Sequence, residues 1–325
     1  MDIILPAAGF GTRLRPQTWS KPKPLVTVAG KPMIEHVLDR LMPYGPEKLV
    51  FIVGYLGDQL ETWARSTYTD VEVVVKYQPQ MLGQSDAILR TRDVCRDDAL
   101  ILFPDALFEA DFSGLAELDV DGVAYTKVID DPSAYGIAVV EDGRITRLVE
   151  KPSEPISNLA LIGIYYFKQV QDLYAAMDDQ IAREIKTRGE YFLSDAVEIM
   201  VENGKHFVTK AVESWEDCGN TEALLQTNRY LLSHDSPSPV QRPGSVINHP
   251  SFVHREAVLE NAVVGPYASI GAGSVIRNAV LRDVIVGDNS TVEDVVLERS
   301  IIGDGVEVSG SAATINIGDA GKIAL

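Results

Sequence analysis

The feature that most narrows the fold is a repeat near the C-terminus. IGAGSV begins at Ile270, VGDNST at Val286 and IGDGVE at Ile302, an interval of 16 residues each time, with Gly271, Gly287 and Gly303 in phase. A related IGDAGK begins at Ile317, and six-residue steps run through VGPYAS, IGAGSV and IRNAVL. An aliphatic residue at every sixth position, followed by Gly or a small polar residue, is what a triangular parallel β-helix needs. Each short face points one aliphatic side chain inward, and each corner takes a small residue, Asn or Asp. An antiparallel array of hairpins is the competing arrangement.

The chain before the repeat has a different texture. DIILPAAG reads as a strand and loop, and KPMIEHVLDRLM places Ile34, Val37, Leu38 and Leu41 on one helical face. LVFIVGY, VEVVVKYQ and ALILFPDALF read as strands, the last as one buried strand ending at Asp105, with helices over GDQLETWARS and SDAILRTRDVC. Apolar strands alternating with helices predict an α/β, Rossmann-like domain with a mixed, mainly parallel sheet. From about residue 122 strands dominate, with a hairpin turn at EDG, and helices return in FLSDAVEIMVENG and NTEALLQTNRYLL. SHDSPSPVQRPGS is rich in Ser and Pro and aperiodic, so the expected plan is a domain over 1–233, a linker over 234–245 and a β-helix over 246–325.

Composition excludes several function classes. The formal net charge of −18 argues against general binding of nucleic acid or an anionic membrane. The apolar run LALIGIYYF has nine residues, far short of a membrane span. With only two cysteines, Cys95 and Cys218, and no secretory pattern at the N-terminus, the expected location is the cytoplasm. Against this acidic background, Arg13, Arg15, Lys21 and Lys23 fall within eleven residues.

That cluster follows the strand-to-loop stretch GFGTRLRP. A dinucleotide loop wants a third glycine where Leu14 stands, and no G-x-x-x-x-G-K-[ST] loop is present. What remains is a turn in which Gly9 and Gly11 allow close backbone approach, with Thr12 and Arg13 beside them. Such a turn either serves structure alone or offers N–H groups and a guanidinium to phosphate oxygens. Ten residues on, Pro22 and Pro24 restrict the backbone around Lys23 and so fix its ammonium. Asp105, at a strand end of an open α/β sheet, is where such sheets place ligands. Asp217 alone reads equally as a helix N-cap before NTEALL.

LPAAGFGTRLRPQTWSKPKPL resembles the signature of the sugar-nucleotide pyrophosphorylases, which join sugar-1-phosphates to nucleoside triphosphates. LGQSDAIL, FPDAL, YGIAVV, VEKP, GEYFLSDAV and WEDCGN resemble further segments of that family, in order over roughly residues 1–232. The resemblance implies a nucleoside triphosphate, UTP or dTTP, and a sugar-1-phosphate, foremost glucose-1-phosphate, as substrates, with Mg²⁺ as cofactor. It implies that Arg13 and Lys23 are catalytic, and that Ala8, Gly9, Gly11, Thr12, Gln78, Gly83 and Gln84 bind nucleotide. Gly136, Glu150, Lys151 and Glu190 would bind the sugar phosphate, and Asp105 and Asp217 the metal. The repeat resembles the left-handed β-helix of several branches, which suggests a homo-oligomer contact or a regulatory site. Pro104 and Ala106 depart from the family pattern around the metal aspartate, and Pro6-Ala7-Ala8 resembles the uridylyl branch. The competing function is a catalytically silent relative that binds nucleotide sugar. Arg15 has no assigned role.

Overall fold

The computed structural model describes residues 1–154, 156–235 and 241–310, with the side chain of Asp217 outside the description. Part of the expected linker, residues 236–240, and the last expected repeat, from Ile317, therefore lie outside the described residues. Two compact units are present: 1–26 with 31–224, and 27–30 with 225 onward. By this packing the helix Thr221–His234, from Leu225 on, belongs with the second unit.

The first unit is built on a mixed sheet. Its elements are β1 (Asp2–Pro6), α1 (Met33–Leu41), β2 (Lys48–Val53), α2 (Gly57–Thr67), β3 (Glu72–Tyr77), α3 (Gln84–Leu89) and β4 (Ala99–Leu102). They continue as β5 (Ala106–Glu109), β6 (Gly122–Val128), β7 (Gly136–Glu141), β8 (Arg144–Glu150) and β9 (Leu159–Phe167). The last are α4 (Val170–Ala182), α5 (Leu193–Glu202), β10 (Phe207–Ala211) and β11 (Ser214–Asp217). The sheet runs β8-β7-β9-β4-β1-β2-β3, and β6 joins both β9 and β10. Strands β4, β1, β2 and β3 are mutually parallel, whereas β9 is antiparallel to β4, β6 and β7.

Residue chemistry accounts for this arrangement. β1, β2 and β4 are buried almost end to end, as strands covered on both faces must be. α1 buries the Ile34, Val37, Leu38 and Leu41 face expected from its spacing. The EDG turn carries Asp142 and Gly143 at φ 49° and 78°, the left-handed pair that a tight hairpin between β7 and β8 requires. ALILFPDALF is not one strand: Pro104 breaks it, β4 ends at Leu102, and Asp105 sits in the turn before β5. β5 pairs instead with β11, which brings FPDAL beside WEDCGN, and the Cys218 amide donates to the Asp105 carbonyl at 3.1 Å.

The second unit contains the repeat as parallel β-coils. Val246 pairs with Val263, Val263 with Val280 and Val280 with Val296, so the early coils advance by 17 residues and the later one by 16. The strand Val280–Val286 pairs with Val263–Val264 at one end and Ser269–Ile270 at the other, turning a corner at Asp283, φ 51°. A separate ladder joins Val258–Glu260, Val275–Arg277, Thr291–Glu293 and Glu307–Ser309, which makes the third face. Val264, Leu281, Ile270, Val286, Ile276 and Val292 fill the interior.

Candidate active site

The C-terminal ends of β1 and β4 lie side by side, and the loops that leave them carry the cleft. After β1, Thr18 Oγ1 and the Leu14 amide both donate to the Gly11 carbonyl, at 2.8 and 2.9 Å, which closes the GFGTR turn. At Gly9 a Cβ would meet nothing within 4 Å, so internal packing does not demand glycine there. The space above that backbone is open. Pro22 caps and Pro24 lies within the short 3-10 turn Lys23–Leu25, and Lys23 Nζ sits 3.2 Å from Asp105 Oδ2.

Two cavities adjoin at this pair. One, of about 250 Å³, is bordered by Ala8, Gly9, Gly11, Lys23, Gln78, Gly83, Gln84, Asp105 and Glu190. The other, of about 480 Å³, is bordered by Arg13, Gly136, Glu150 and Lys151. Gln84, Phe103 and Asp105 border both. Thr12 borders neither of these two. Glu190 stands on the first cavity, apart from Gly136, Glu150 and Lys151 with which it was grouped.

Several of these side chains hold the walls together. Gln78 is buried, and its Nε2 donates to the Gly83 carbonyl at 3.0 Å and to Asp86 Oδ2 at 2.9 Å. Gln84 Oε1 accepts from the Leu193 amide at 3.0 Å. At Gly136 a Cβ would lie 2.7 Å from Glu150 Oε2, so the missing side chain makes room for that carboxylate. Glu150 Oε2 accepts from Ser194 Oγ at 2.7 Å, and Oε1 lies 3.4 Å from Lys151 Nζ.

Phe192, Ser194, Trp215 and Asp195 are site residues that sequence reasoning missed. The first three border the larger cavity. Asp195 follows Ser194 in the chain and does not border that cavity; burial pushes its carboxyl up to about 6, Thr187 opposes the shift and the Glu150 charge adds to it. For Phe192, Ser194 and Asp195 the available signal was GEYFLSDAV, from which only Glu190 was singled out; Trp215 opens WEDCGN, from which only Asp217 was taken.

Residues 1–234 match the family described as nucleotidyl transferase. The chain belongs to that family. It is 32% identical over 240 residues to the UTP–glucose-1-phosphate uridylyltransferase of Haloferax volcanii, spanning 70% of this chain and 97% of the relative. A glucose-1-phosphate thymidylyltransferase of Streptomyces antibioticus is 30% identical over 319 residues, spanning 93% of this chain and 87% of the relative. A solved UDP-glucose pyrophosphorylase, complexed with UDP-glucose, shares the fold of 71% of this chain and 98% of its own length, with a TM-score of 0.64 and 22% identity. This protein is thus an enzyme, a nucleotidyltransferase.

The cleft of this nucleotidyltransferase can be tested for a metal. Among the described residues no three carboxylate, imidazole or thiolate groups converge. A divalent cation that draws its other ligands from phosphate and water asks for no more than one or two carboxylates. Asp105, with 49% of its side chain exposed at the junction of the cavities, fits that need. Asp217 lies opposite Ala106 across the β5–β11 pair, and its side chain is outside the described residues. Among the described residues no helix is long and apolar enough to cross a membrane.

Proposed function

We propose that this nucleotidyltransferase joins UTP or dTTP to a sugar-1-phosphate, foremost glucose-1-phosphate, and releases pyrophosphate. The observation that carries the reading is a pair of cavities meeting at Asp105, with Lys23 on one wall and Arg13 and Lys151 on the other. Cations gathered there, in a chain of net charge −18, suit two polyanions that must be brought together. Two relatives bear names that pair glucose-1-phosphate with uridylyl and thymidylyl transfer.

The attacking sugar-phosphate oxygen is already an anion, so no general base is required. Its bond to the α-phosphorus forms as the bridging oxygen leaves with pyrophosphate, and catalysis reduces to positioning and charge. Backbone N–H groups of Ala8, Gly9, Gly11 and Thr12 would take phosphate oxygens, with Lys23 at the α-phosphate and Arg13 on the departing pyrophosphate. Gln78, Gly83 and Gln84 would face the base. Glu150 would bind sugar hydroxyls and Lys151 the sugar phosphate, with Gly136 lining the sugar from the larger cavity and Glu190 reaching it from the smaller one. Asp105 and Asp217 would hold Mg²⁺, which when bound would supply hard positive charge to the substrate phosphates. We assign catalysis to residues 1–233 in the cytoplasm, and a homo-oligomer contact or regulatory site to the β-helix. A silent, binding-only relative is disfavoured because Arg13, Lys23 and Asp105 all border the cleft.

The test is pyrophosphate release across a matrix of nucleoside triphosphates and sugar-1-phosphates with Mg²⁺. Turnover with UTP or dTTP and glucose-1-phosphate is expected, and Arg13→Ala should lower kcat roughly 10²-fold, the scale of one transition-state charge contact. No release with any pair overturns the reading.

A further inference from the structure

The residue after β8 has an unusual setting. Lys151 is not glycine, yet its backbone is left-handed at φ 45°, held there by its amide donating to the Tyr135 carbonyl at 3.1 Å. Such conformations persist where the surroundings fix them, and they gather at ligand sites. The ammonium lies 4.2 Å from the centroid of the Phe192 ring and 3.4 Å from Glu150 Oε1.

The ring is itself well anchored. Phe192 is buried, extended at φ −84° and ψ 148°, and precedes the first turn of α5. Its carbonyl accepts from Gln180 Nε2 at 2.9 Å and from Ser85 Oγ at 3.2 Å, both fully buried donors. With its backbone carbonyl fixed by two buried hydrogen bonds, Phe192 can offer its ring face to a cation without competing for the ammonium's N–H donors. That attraction is strong enough to place the charge and weak enough to yield it to a phosphate.

We propose that Phe192 is a positioning residue whose ring face stations the Lys151 ammonium beside Glu150 in the larger cavity, ready for the sugar phosphate. The inference rests on the reading that Lys151 receives that phosphate. Phe192 itself does not take part in bond making.

The test replaces Phe192 with tyrosine, with leucine, and with a graded series of fluorinated phenylalanines that keep its shape while draining the ring face of negative charge. Phe192→Leu should raise KM for glucose-1-phosphate by roughly 3- to 30-fold. The fluorinated series should climb stepwise toward that value, Phe192→Tyr should stay near wild type, and KM for the nucleoside triphosphate should hold in all of them. A KM for glucose-1-phosphate that ignores fluorination, or a fall in kcat and stability with no split in KM, overturns the proposal. The free enzyme gives a second readout. With ¹³C-labelled lysine, the Lys151 ε-methylene protons should be shifted upfield by the ring and return to the ordinary lysine position in Phe192→Leu. An unshifted ε-methylene overturns the placement. Failure to release pyrophosphate with any substrate pair, with the upfield shift present, overturns only the functional reading.

Discussion

Gly83 is the position where one added carbon should do most damage. Its backbone stands at φ 120° and ψ −176°, a region that side chains with a Cβ essentially do not enter. A Cβ built there would lie 2.4 Å from the Tyr191 amide nitrogen and 2.6 Å from its carbonyl oxygen. Those atoms cannot swing aside, because the Tyr191 amide donates to the Leu82 carbonyl at 3.2 Å and the Tyr191 carbonyl accepts from the Ser85 amide at 3.0 Å. Gly83→Ala therefore carries backbone strain of about 1–3 kcal/mol. Parting the loops adds about 1 kcal/mol for each of the two hydrogen bonds lost. The sum of about 3–5 kcal/mol corresponds to a fall in melting temperature of roughly 6–20 °C for a domain of this size. The control is Gly143→Ala, at φ 78° with nothing within 4 Å, where left-handed strain acts alone at about 1–2 kcal/mol. Thermal and urea unfolding of both variants, with KM for each substrate, makes the comparison. If the loops part without global unfolding, the loss shows as a raised KM for the nucleoside triphosphate. Equal stability of the two variants, with KM unchanged, refutes the reasoning.

Asp195 sets a pH dependence. With its native carboxyl raised to about 6 from 3.8, the folded chain keeps a proton that the unfolded chain has released. Stability from this group therefore falls as pH rises from about 4 to 6, and Asp195→Asn should gain up to about 3 kcal/mol at pH 7.5 and nothing at pH 4. Parallel urea-unfolding profiles against pH would contradict this. In the second unit Asn228 is fully buried; its Oδ1 accepts from the Ala29 amide at 2.9 Å and Ser269 Oγ at 2.7 Å, and its Nδ2 donates to the Tyr267 carbonyl at 3.0 Å. Asn228→Leu should cost about 3–4 kcal/mol in urea unfolding, since it orphans three polar groups at once, and a loss below about 1 kcal/mol would show that the network is dispensable.

What the sequence revealed divides by the range of the interactions. Period-2 and period-3.6 patterns, the EDG turn and the β-coil repeat are local, and each was legible from residue spacing. Pro22 and Pro24 likewise announced a fixed Lys23. α4 was passed over although Val170, Leu173, Tyr174 and Met177 share one face. It follows β9 after only Lys168 and Gln169, and no capping side chain marks its start. The N-cap role that Asp217 could have taken falls instead to Asn220, the first residue of NTEALL, whose Oδ1 accepts from the Ala223 amide at 3.0 Å. The 16-residue spacing read at Ile270, Val286 and Ile302 recurs in their pairing, while the coils before them each accommodate one more residue. Phe192 and Ser194 escaped notice for a plainer reason. Their meaning depends on the end of β8, more than forty residues away, and on nothing adjacent in the chain.

The same junction explains why the two cavities form one cleft. Residues 83–85 and 190–195 are joined by the Gly83–Tyr191 bridge, by Gln84 Oε1 on the Leu193 amide and by Ser85 Oγ on the Phe192 carbonyl. Gln78 ties this seam back to β3 from below. On one side of the seam lie the Gly9–Gly11 turn and Lys23; on the other, Ser194 Oγ donates to Glu150 and the Phe192 ring faces the Lys151 ammonium. The geometry between the groups at the two ends is thus fixed by a backbone bridge and by short side chains hydrogen-bonded across the seam. In the proposed reaction, which needs alignment and charge but no general base, such rigidity is the main thing a protein can contribute. A loosened seam should cost more in catalysis than the loss of any single side chain on its walls suggests, because both cavities lose their register together.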